Sequence, residues 1–163
     1  HLTPEFVDFG LMLQRIKNKL VPIAVSKNIT INLDVPDDMM PIMLDYDRIW
    51  EAVYNVVDNA VKYSKIGSVV KMHCICTESE LELDVIDSGK GIPDEYKERI
   101  FERFYRLDDS RARETGGTGL GLSIAREAVQ LHGGALYVVD NADGGSCFVI
   151  KLPINSGAKK QEE

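Results

Sequence analysis

Apolar residues recur along the chain with two different periods, and each period predicts a different kind of element. Between residues 4 and 27 the apolar positions return about every three to four residues, which predicts a helix that Pro22 kinks or ends. Residues 29–35 alternate between apolar and polar, which predicts a strand with one buried face. The chain is therefore expected to begin with a helix followed by a strand.

The rest of the chain alternates between the same two patterns. A long helix is predicted at residues 46–64, with Asp45 or Asp47 as its cap and a break at residues 65–67. The elements predicted after it are strands at 69–77 and 81–86, a short helix at 95–101, a helix at 124–131, and a hairpin of strands at 136–139 and 147–152. This mixture indicates an α+β fold. The polar residues 155–163 are expected to form a disordered tail.

Size and composition fit one globular domain with a sizeable core, since 44% of the 163 residues are apolar and 28% are charged. The apolar runs fall far short of the about 20 residues that span a bilayer, and no signal peptide is expected. A net charge of −7 argues against a general nucleic-acid surface. The three cysteines, an odd number, indicate a reducing compartment. Cys74 and Cys76 share one face of a predicted strand, which favours a place in the core over a metal site.

A glycine-rich run at residues 116–122 leads into the predicted helix at 124–131. The first N–H groups of a helix have no partner within it, and the positive end of the helix dipole lies there, so a phosphate could approach closely. Glycine clusters are also common in ordinary loops. The run by itself does not decide between these two interpretations.

The long helix predicted at 46–64 has a polar face and an apolar one. At about 100° per residue, Asn55, Asn59 and Lys62 fall within about 60° of one another. The residues predicted to face the core on the opposite side are Trp50, Val53, Val57, Ala60 and Ser64. A carboxamide oxygen can bind Mg²⁺ and a lysine can pair with phosphate, although a solvated polar face is the commoner role of such a stripe.

Asp87 follows the strand predicted at 81–86 and opens the run Asp-Ser-Gly-Lys-Gly-Ile at residues 87–92. Its carboxylate could accept a hydrogen bond from an exocyclic amine such as that of adenine, and Gly89 and Gly91 would let the backbone lie close to a flat base. The alternative is a turn whose glycines serve only its dihedral angles. Taken together, the three candidate sites supply the parts of a nucleotide pocket.

In this order the motifs resemble the catalytic ATP-binding domain of sensor histidine kinases, in the GHKL ATPase superfamily, over residues 4–153. The similar segments are residues 55–64 for the family's N box, 87–92 for its first glycine box, 101–106 for its F box and 117–122 for its second glycine box. The resemblance implies one catalytic domain at residues 1–154. It also implies a two-layer α/β sandwich of the Bergerat type, with a mixed, mostly antiparallel sheet of about five strands covered on one face by about three helices.

The resemblance further implies that the ligands are ATP and Mg²⁺ and assigns roles to single residues. Asp87 binds the adenine amine, Asn59 coordinates Mg²⁺ with Asn55 in support, and Lys62 and Arg106 contact phosphates. The positions implied to bind ATP are Asn55, Asn59, Lys62, Tyr63, Asp87, Gly89, Gly91, Ile92, Arg106, Gly117, Thr118, Gly119, Leu120 and Gly121. Of these, Asn55, Lys62 and Arg106 are expected to be catalytic. Residues 105–117 would be a mobile ATP lid, in which Arg111 and Arg113 either contact phosphate or are solvated.

Asn55 stands where gyrase-like and chaperone members of the superfamily carry a glutamate that activates water. An amide is not a useful base at neutral pH, so the resemblance implies an ATP-dependent protein-histidine kinase rather than a hydrolase. The family's phosphoacceptor histidine lies on a separate dimerisation hairpin, and none of His1, His73 and His132 matches it. The chain is therefore expected to donate phosphate to a histidine outside itself.

The partners implied by the resemblance are that dimerisation domain, a response regulator and a sensor domain. The chain is expected to be a monomer in isolation, cytoplasmic as part of a membrane-anchored sensor kinase, and without direct contact to membrane or nucleic acid. Two other functions stay open. One is an anti-sigma-type serine kinase, which shares the N and glycine boxes but for which an F box like residues 101–104 is not expected. The other is a nucleotide-binding interaction module without transfer activity.

Overall fold

In the computed structural model, which describes residues 1–106 and 119–154, three α-helices pack on one face of a five-stranded sheet. The helices and strands, in chain order, are β1 Glu5–Val7, α1 Phe9–Ser26, β2 Thr30–Asp34, β3 Ile42–Leu44, α2 Tyr46–Tyr63, β4 Val69–Cys76, β5 Glu80–Ile86, α3 Gly121–Leu131, β6 Ala135–Asp140 and β7 Ser146–Pro153. The α+β class expected from the sequence is confirmed. The short helix expected at 95–101 is instead two 3-10 helices, Asp94–Tyr96 and Arg99–Phe101.

The five-stranded sheet has the order β2-β4-β5-β7-β6, in which β2 and β4 are parallel and the other neighbours are antiparallel. Successive side chains of a strand point to opposite faces, so every second residue faces the helices. Met72, Val85 and Phe148 lie side by side on that inner face and are all buried. Because β5 is antiparallel to β4, the end of β5 lies beside the start of β4, next to the end of α2.

The first predicted helix begins too early, because residues 5–7 form β1 and pair antiparallel with the unpredicted strand β3. Phe6 fits the helical period of the sequence, yet it is 72% exposed and lies opposite Met43. The helix α1 begins only after Asp8, whose carboxylate accepts a hydrogen bond from the Leu11 N–H at 3.0 Å. Pro22 does not end α1, which continues for a further turn to Ser26.

Of the two caps predicted for α2, Asp45 is the one observed, since its carboxylate accepts a hydrogen bond from the Arg48 N–H at 3.3 Å. The same carboxylate accepts a hydrogen bond from the Thr3 N–H at 2.9 Å, and this bond holds the pKa of Asp45 below its ordinary value. The Asp45 N–H in turn donates to Nε2 of His132 at the end of α3. These contacts join the start of the chain, the start of α2 and the end of α3.

The inner face of α2 is buried largely as predicted, with Val53, Val57 and Ala60 in the core. Trp50 departs from the prediction, because it is half-buried and stacks on Tyr54 with ring centroids 5.0 Å apart. Nζ of Lys19 from α1 lies 4.9 Å from the Trp50 ring. Trp50 therefore lies in the seam between α1 and α2 rather than under the sheet.

The cysteines have no disulfide partner within the described part of the chain. Cys74 is buried in the core and Cys76 is half-buried. Across residues 1–106 and 119–154, no helix combines the length and apolar character that a membrane span requires.

Candidate functional site

Asp87 is a buried carboxylate at the end of β5, only 6% exposed. Its Oδ1 accepts two backbone hydrogen bonds, from the Gly89 N–H at 2.9 Å and from the Ser146 N–H at 3.1 Å. Burial raises the pKa of Asp87, and these two hydrogen bonds partly oppose that rise. Within the described residues no hydrogen bond falls on Oδ2. This oxygen can therefore accept one from a ligand.

Two glycines bring the surrounding backbone unusually close to Asp87. A Cβ on Gly145 would lie 2.2 Å from the Asp87 carbonyl oxygen, and a Cβ on Gly89 would lie 2.7 Å from the carbonyl oxygen of Tyr63. Real side chains do not tolerate such distances, so both positions require glycine. Gly145 also has a φ of +83°, a region that favours glycine. The turn between β6 and β7 therefore forms the wall behind Asp87.

The loop that begins at Asp87 is attached directly to the end of α2. The N–H of Ser88 donates to Oγ of the buried Ser64 at 3.2 Å, and Oγ of Ser88 donates to the carbonyl of Val69 at 3.2 Å. Tyr63, the last residue of α2, is partly exposed beside this loop. The side chains of α2 are thereby held at a set distance from the Asp87 carboxylate.

The polar face of α2 carries the two predicted asparagines and the predicted lysine. Asn55 and Asn59 are half-buried, one helical turn apart. Nδ2 of Asn55 donates to the carbonyl of Gly121 at 3.2 Å, which joins α2 to the first residue of α3. Nζ of Lys62 lies 3.0 Å from Oδ2 of Asp58 on its own helix. Lys62 is thus paired with a carboxylate, and it would have to leave this partner to contact a phosphate.

The start of α3 lies against the residues of the predicted F box. The N–H of Phe104 donates to the Gly119 carbonyl at 2.9 Å, and a Cβ on Gly119 would lie 2.9 Å from the Phe104 Cα. Both residues have positive φ, +63° for Phe104 and +79° for Gly119. The N-terminal cap residue of α3 is Leu120, whose side chain makes no capping hydrogen bond. The first N–H groups of a helix have no partner within it, so the start of α3 is a place that a phosphate can approach.

A bidentate ion pair connects the same two regions. Arg126 of α3 donates to both carboxylate oxygens of Glu98, at 2.6 and 3.0 Å, and this pairing lowers the pKa of Glu98. The Arg126 guanidinium also lies 4.5 Å from the Phe101 ring, which contacts Phe148 of the core edge-on. The helix after the glycine run is thus anchored to the segment before it.

Some predicted positions have no described geometry. Gly117, Thr118, Arg111 and Arg113, with most of the expected lid and the expected tail at 155–163, lie outside the described residues. Arg106 is half-buried and is the last residue described before that segment. Gly91 has a φ of +78°, and Ile92 packs partly against the core. The structure therefore brings Asp87, the polar face of α2 and the start of α3 around one region.

The sequence pattern does not mark three residues of this region as supports of Asp87. Gly145 lies in the predicted hairpin turn, Ser146 lies between that turn and the strand predicted at 147–152, and Ser64 lies on the predicted core face of the long helix. Ser146 acts through its backbone N–H, for which no side-chain pattern exists. The glycine pair at 144–145 is the signal that the sequence offers, and the positive φ of both residues also favours glycine at each position.

The donor set fits a magnesium nucleotide better than a metal held by the protein alone. No group of three or more His, Cys, Asp or Glu side chains that could hold a metal ion lies in residues 1–106 and 119–154. Mg²⁺ commonly takes one or two protein oxygens and completes its shell with water and phosphate oxygens. The half-buried carboxamide of Asn59 suits that arrangement.

Comparison with known proteins shows the family to which the chain belongs. The family model "Histidine kinase-, DNA gyrase B-, and HSP90-like ATPase" matches residues 44–156. The adaptive-response sensory kinase SasA of Prochlorococcus marinus (strain AS9601) is 33% identical over 161 residues, which cover 98% of this chain and 43% of SasA. The chain thus spans less than half the length of such relatives.

Two solved structures have the same fold. The mycobacterial sensor histidine kinase MprB matches with a TM-score of 0.78 and 31% identity, over 94% of this chain and 98% of that one. Full-length ShkA, solved in complex with AMPPNP, matches with a TM-score of 0.82 and 28% identity, over 94% of this chain and 32% of that one. The chain therefore belongs to the histidine kinase-, DNA gyrase B- and HSP90-like ATPase family, as the catalytic ATP-binding domain of a sensor histidine kinase.

Proposed function

We propose that this domain binds ATP with Mg²⁺ and donates the γ-phosphate to a histidine on a separate dimerisation domain. One observation carries the proposal: the end of α2 is attached to the Asp87 loop through the hydrogen bond from Ser88 to Ser64. A base-binding carboxylate and the amides of α2 therefore belong to one rigid unit. Its two ends suit the base and the phosphates of one nucleotide.

At the base end, the ionised Asp87 carboxylate would accept a hydrogen bond from the adenine amine on Oδ2. Since Oδ1 already has two N–H donors, the side chain cannot rotate without breaking both bonds. Gly91, with its positive φ, lets the backbone pass close to a flat ring. This arrangement favours a purine with an amine over one with a carbonyl at the same position.

At the phosphate end, Asn59 would offer its carboxamide oxygen to Mg²⁺, and Lys62 and Arg106 would contact phosphate oxygens. The magnesium ion supplies charge neutralisation on the phosphates when it is bound. Lys62 lies 3.0 Å from Asp58 and can exchange this carboxylate for a phosphate by turning its flexible side chain. Phosphoryl transfer depends chiefly on alignment and charge neutralisation, and these groups supply both.

Asn55 supports transfer to another nucleophile over hydrolysis. Its Nδ2 donates to the Gly121 carbonyl, so its amide joins α2 to α3 and has no basic group to activate water. The proposal extends to the partners that the family resemblance implies: a dimerisation domain with the acceptor histidine, a response regulator that takes the phosphate, and a sensor domain. It places this domain in the cytoplasm, where ATP is available.

The test is phosphate transfer in trans. The chain is incubated with Mg²⁺ and ATP labelled in its γ-phosphate, together with a histidine-bearing helical hairpin produced from a related sensory kinase. We expect label on the hairpin that is lost in acid and kept in base, as phosphohistidine requires. Asn59→Ala should abolish the label, whereas Asn18→Ala, an exposed position on α1, should leave it unchanged.

The same experiment separates the alternatives. Acid-stable label would indicate a serine kinase. ATP binding without any labelling, across hairpins from several relatives, would indicate a nucleotide-binding interaction module and contradict the proposed transfer.

A further inference from the structure

The two segments 5–11 and 33–43 are joined by the pairing of β1 with β3 and by a groove that residues of both segments line. They comprise β1, the first turn of α1, the end of β2 and the stretch leading through β3. Since β2 is parallel to β4 and β5 is antiparallel to both, β2 runs away from the end of the sheet that carries Asp87, and the chain leaves β2 at Asp34, level with Asp84 of β5. We call these two segments the N-terminal surface. It lies outside the nucleotide site.

A groove of about 410 Å³ crosses this surface. Asp8, the cap of α1, and Asp37 and Met39 from the stretch after β2 line it, together with Gln14 of α1 next to the surface. Both aspartates are exposed, and within the described residues no ion pair involves either of them. The groove therefore has a carboxylate on each side and offers a place for a cation.

Exposed apolar side chains belong to the same two segments. Met40 is 76% exposed and follows Met39, which lines the groove. Phe6 and Met43 are direct partners across the β1–β3 pair, and both point away from the core, whereas Val7 and Ile42 beside them are buried. Methionine side chains adapt to different partners and are frequent at surfaces that bind amphipathic helices.

The charge of the surface is of one sign. Its two segments carry five carboxylates, Glu5, Asp8, Asp34, Asp37 and Asp38, and no lysine or arginine. Of these, Asp34 pairs with His73 at 2.8 Å. An acidic groove beside exposed methionine and phenylalanine complements a segment that carries cations on one face and apolar side chains on the next.

We infer that the N-terminal surface binds a basic amphipathic helix of a partner protein. A lysine or arginine of that helix lies in the groove between Asp8 and Asp37, and its apolar face packs on Phe6, Met40 and Met43. A helix suits this surface because an amphipathic helix presents cations and apolar side chains on neighbouring faces within one turn. Nucleotide binding does not depend on this surface.

The probe is an amphipathic peptide of about 18 leucine and lysine residues, long enough for about five helical turns. A matched peptide with glutamate in place of lysine is the control. Amide chemical shifts of the isotope-labelled chain locate the binding, and fluorescence anisotropy of the peptide gives the affinity. We expect the lysine peptide to shift residues 5–11 and 33–43, and the glutamate peptide not to bind.

Two variants test the two halves of the inference. The charge reversal Asp37→Lys should weaken the lysine peptide by about tenfold or more and gain binding of the glutamate peptide. Met40→Ser should weaken the lysine peptide by about threefold to tenfold without changing the charge. Glu78→Lys, an exposed reversal on the β4–β5 turn, should change neither affinity and serves as the matched control.

Three results would overturn the inference. Shifts centred elsewhere would place the binding at another site, and an equal loss in Glu78→Lys would show attraction by net charge alone. Dimerisation of the chain that Met40→Ser abolishes would show that a second copy covers the surface. Unchanged ATP binding in every variant is expected, because these residues lie outside the nucleotide site.

Discussion

Asp87→Asn tests the base end of the site with a change of a single atom. Oδ1 of Asp87 accepts the N–H groups of Gly89 and Ser146, so the asparagine must place its own oxygen there to keep both bonds. The amide nitrogen is then forced to occupy the position of Oδ2. Where the carboxylate offers an acceptor to the ligand, the variant therefore presents two N–H donors in a fixed orientation.

The expected loss follows from that orientation. A hydrogen bond to a charged group is worth about 1.5–3 kcal/mol, and leaving buried donors to face the adenine amine adds a penalty of about 1–3 kcal/mol. ATP affinity should therefore fall by at least about 2.5 kcal/mol, or about seventyfold. ITP, which carries a carbonyl in place of the amine, can accept from the new amide. The variant should bind ITP more tightly than ATP, the reverse of the parent chain.

Asp87→Asn should not lower the stability of the fold, although it lowers the affinity for ATP. Burial raises the pKa of Asp87 above its unfolded value, so the native state holds this proton more readily than the unfolded chain. The group's contribution to stability is then greatest below the unfolded pKa and is lost as pH rises through the folded pKa. At neutral pH the buried charge opposes folding, and the neutral amide removes that cost. Asp87→Asn should melt at the same temperature as the parent or higher.

Calorimetric titration with ATP and ITP, together with thermal unfolding, checks both expectations. Asp94→Asn, a change of the same kind at an exposed carboxylate, is the control and should bind both nucleotides as the parent does. If Asp87→Asn bound ATP within about threefold of the parent, the assigned base contact would be wrong. If the variant bound neither nucleotide and had a lower melting temperature, Asp87 would be a structural residue rather than one that recognises the base.

Three further predictions address other parts of the molecule. Gly145→Ala should abolish ATP binding and lower the melting temperature, because its Cβ would lie 2.2 Å from a backbone oxygen. Gly144→Ala has nothing within 4 Å of its Cβ. In chemical unfolding it should therefore cost only about 1–2 kcal/mol, the cost of a left-handed conformation at a residue with a side chain. In the same titration, Lys62→Ala should weaken the binding of ATP more than the binding of AMP. Asp58→Asn removes the carboxylate partner of Lys62 and should not weaken ATP binding. An equal loss of affinity for both nucleotides in Lys62→Ala would contradict a phosphate role. Asp84→Asn should raise the stability of the fold at neutral pH and flatten the dependence of that stability on pH. Burial raises the pKa of Asp84 to about 6, so the stabilising contribution of this carboxyl group is lost as pH rises through that value. An unfolding free energy whose dependence on pH between about 4 and 7 is the same in the variant and the parent would refute this.

The elements of this fold were predictable where burial and propensity act together. The α2 helix combines the cap Asp45 with a continuous apolar face, and its bounds match the prediction within one residue. The strands β4 and β5 alternate cleanly because one face packs against the helices. At the start of the chain, burial and propensity no longer act together. Phe6 fits the helical period by coincidence, whereas β1 forms because it pairs with β3, more than thirty residues away. Long-range pairing of three-residue strands leaves too little pattern to detect.

The site divides along a similar line, between residues that would act through side chains and residues that act through the backbone. Asp87, Asn55 and Asn59 are recognisable because their side chains stand in motifs that resemble those of the family. Ser146 supports Asp87 with an N–H that nearly every residue possesses, so its identity carries no trace of the role. The only mark left in the sequence is the preceding Gly145, where the approach of the Asp87 carbonyl excludes any side chain. Since adjacent Gly144 meets no such contact, the pair separates a glycine needed for the turn from one needed for the site, and their alanine variants should differ accordingly.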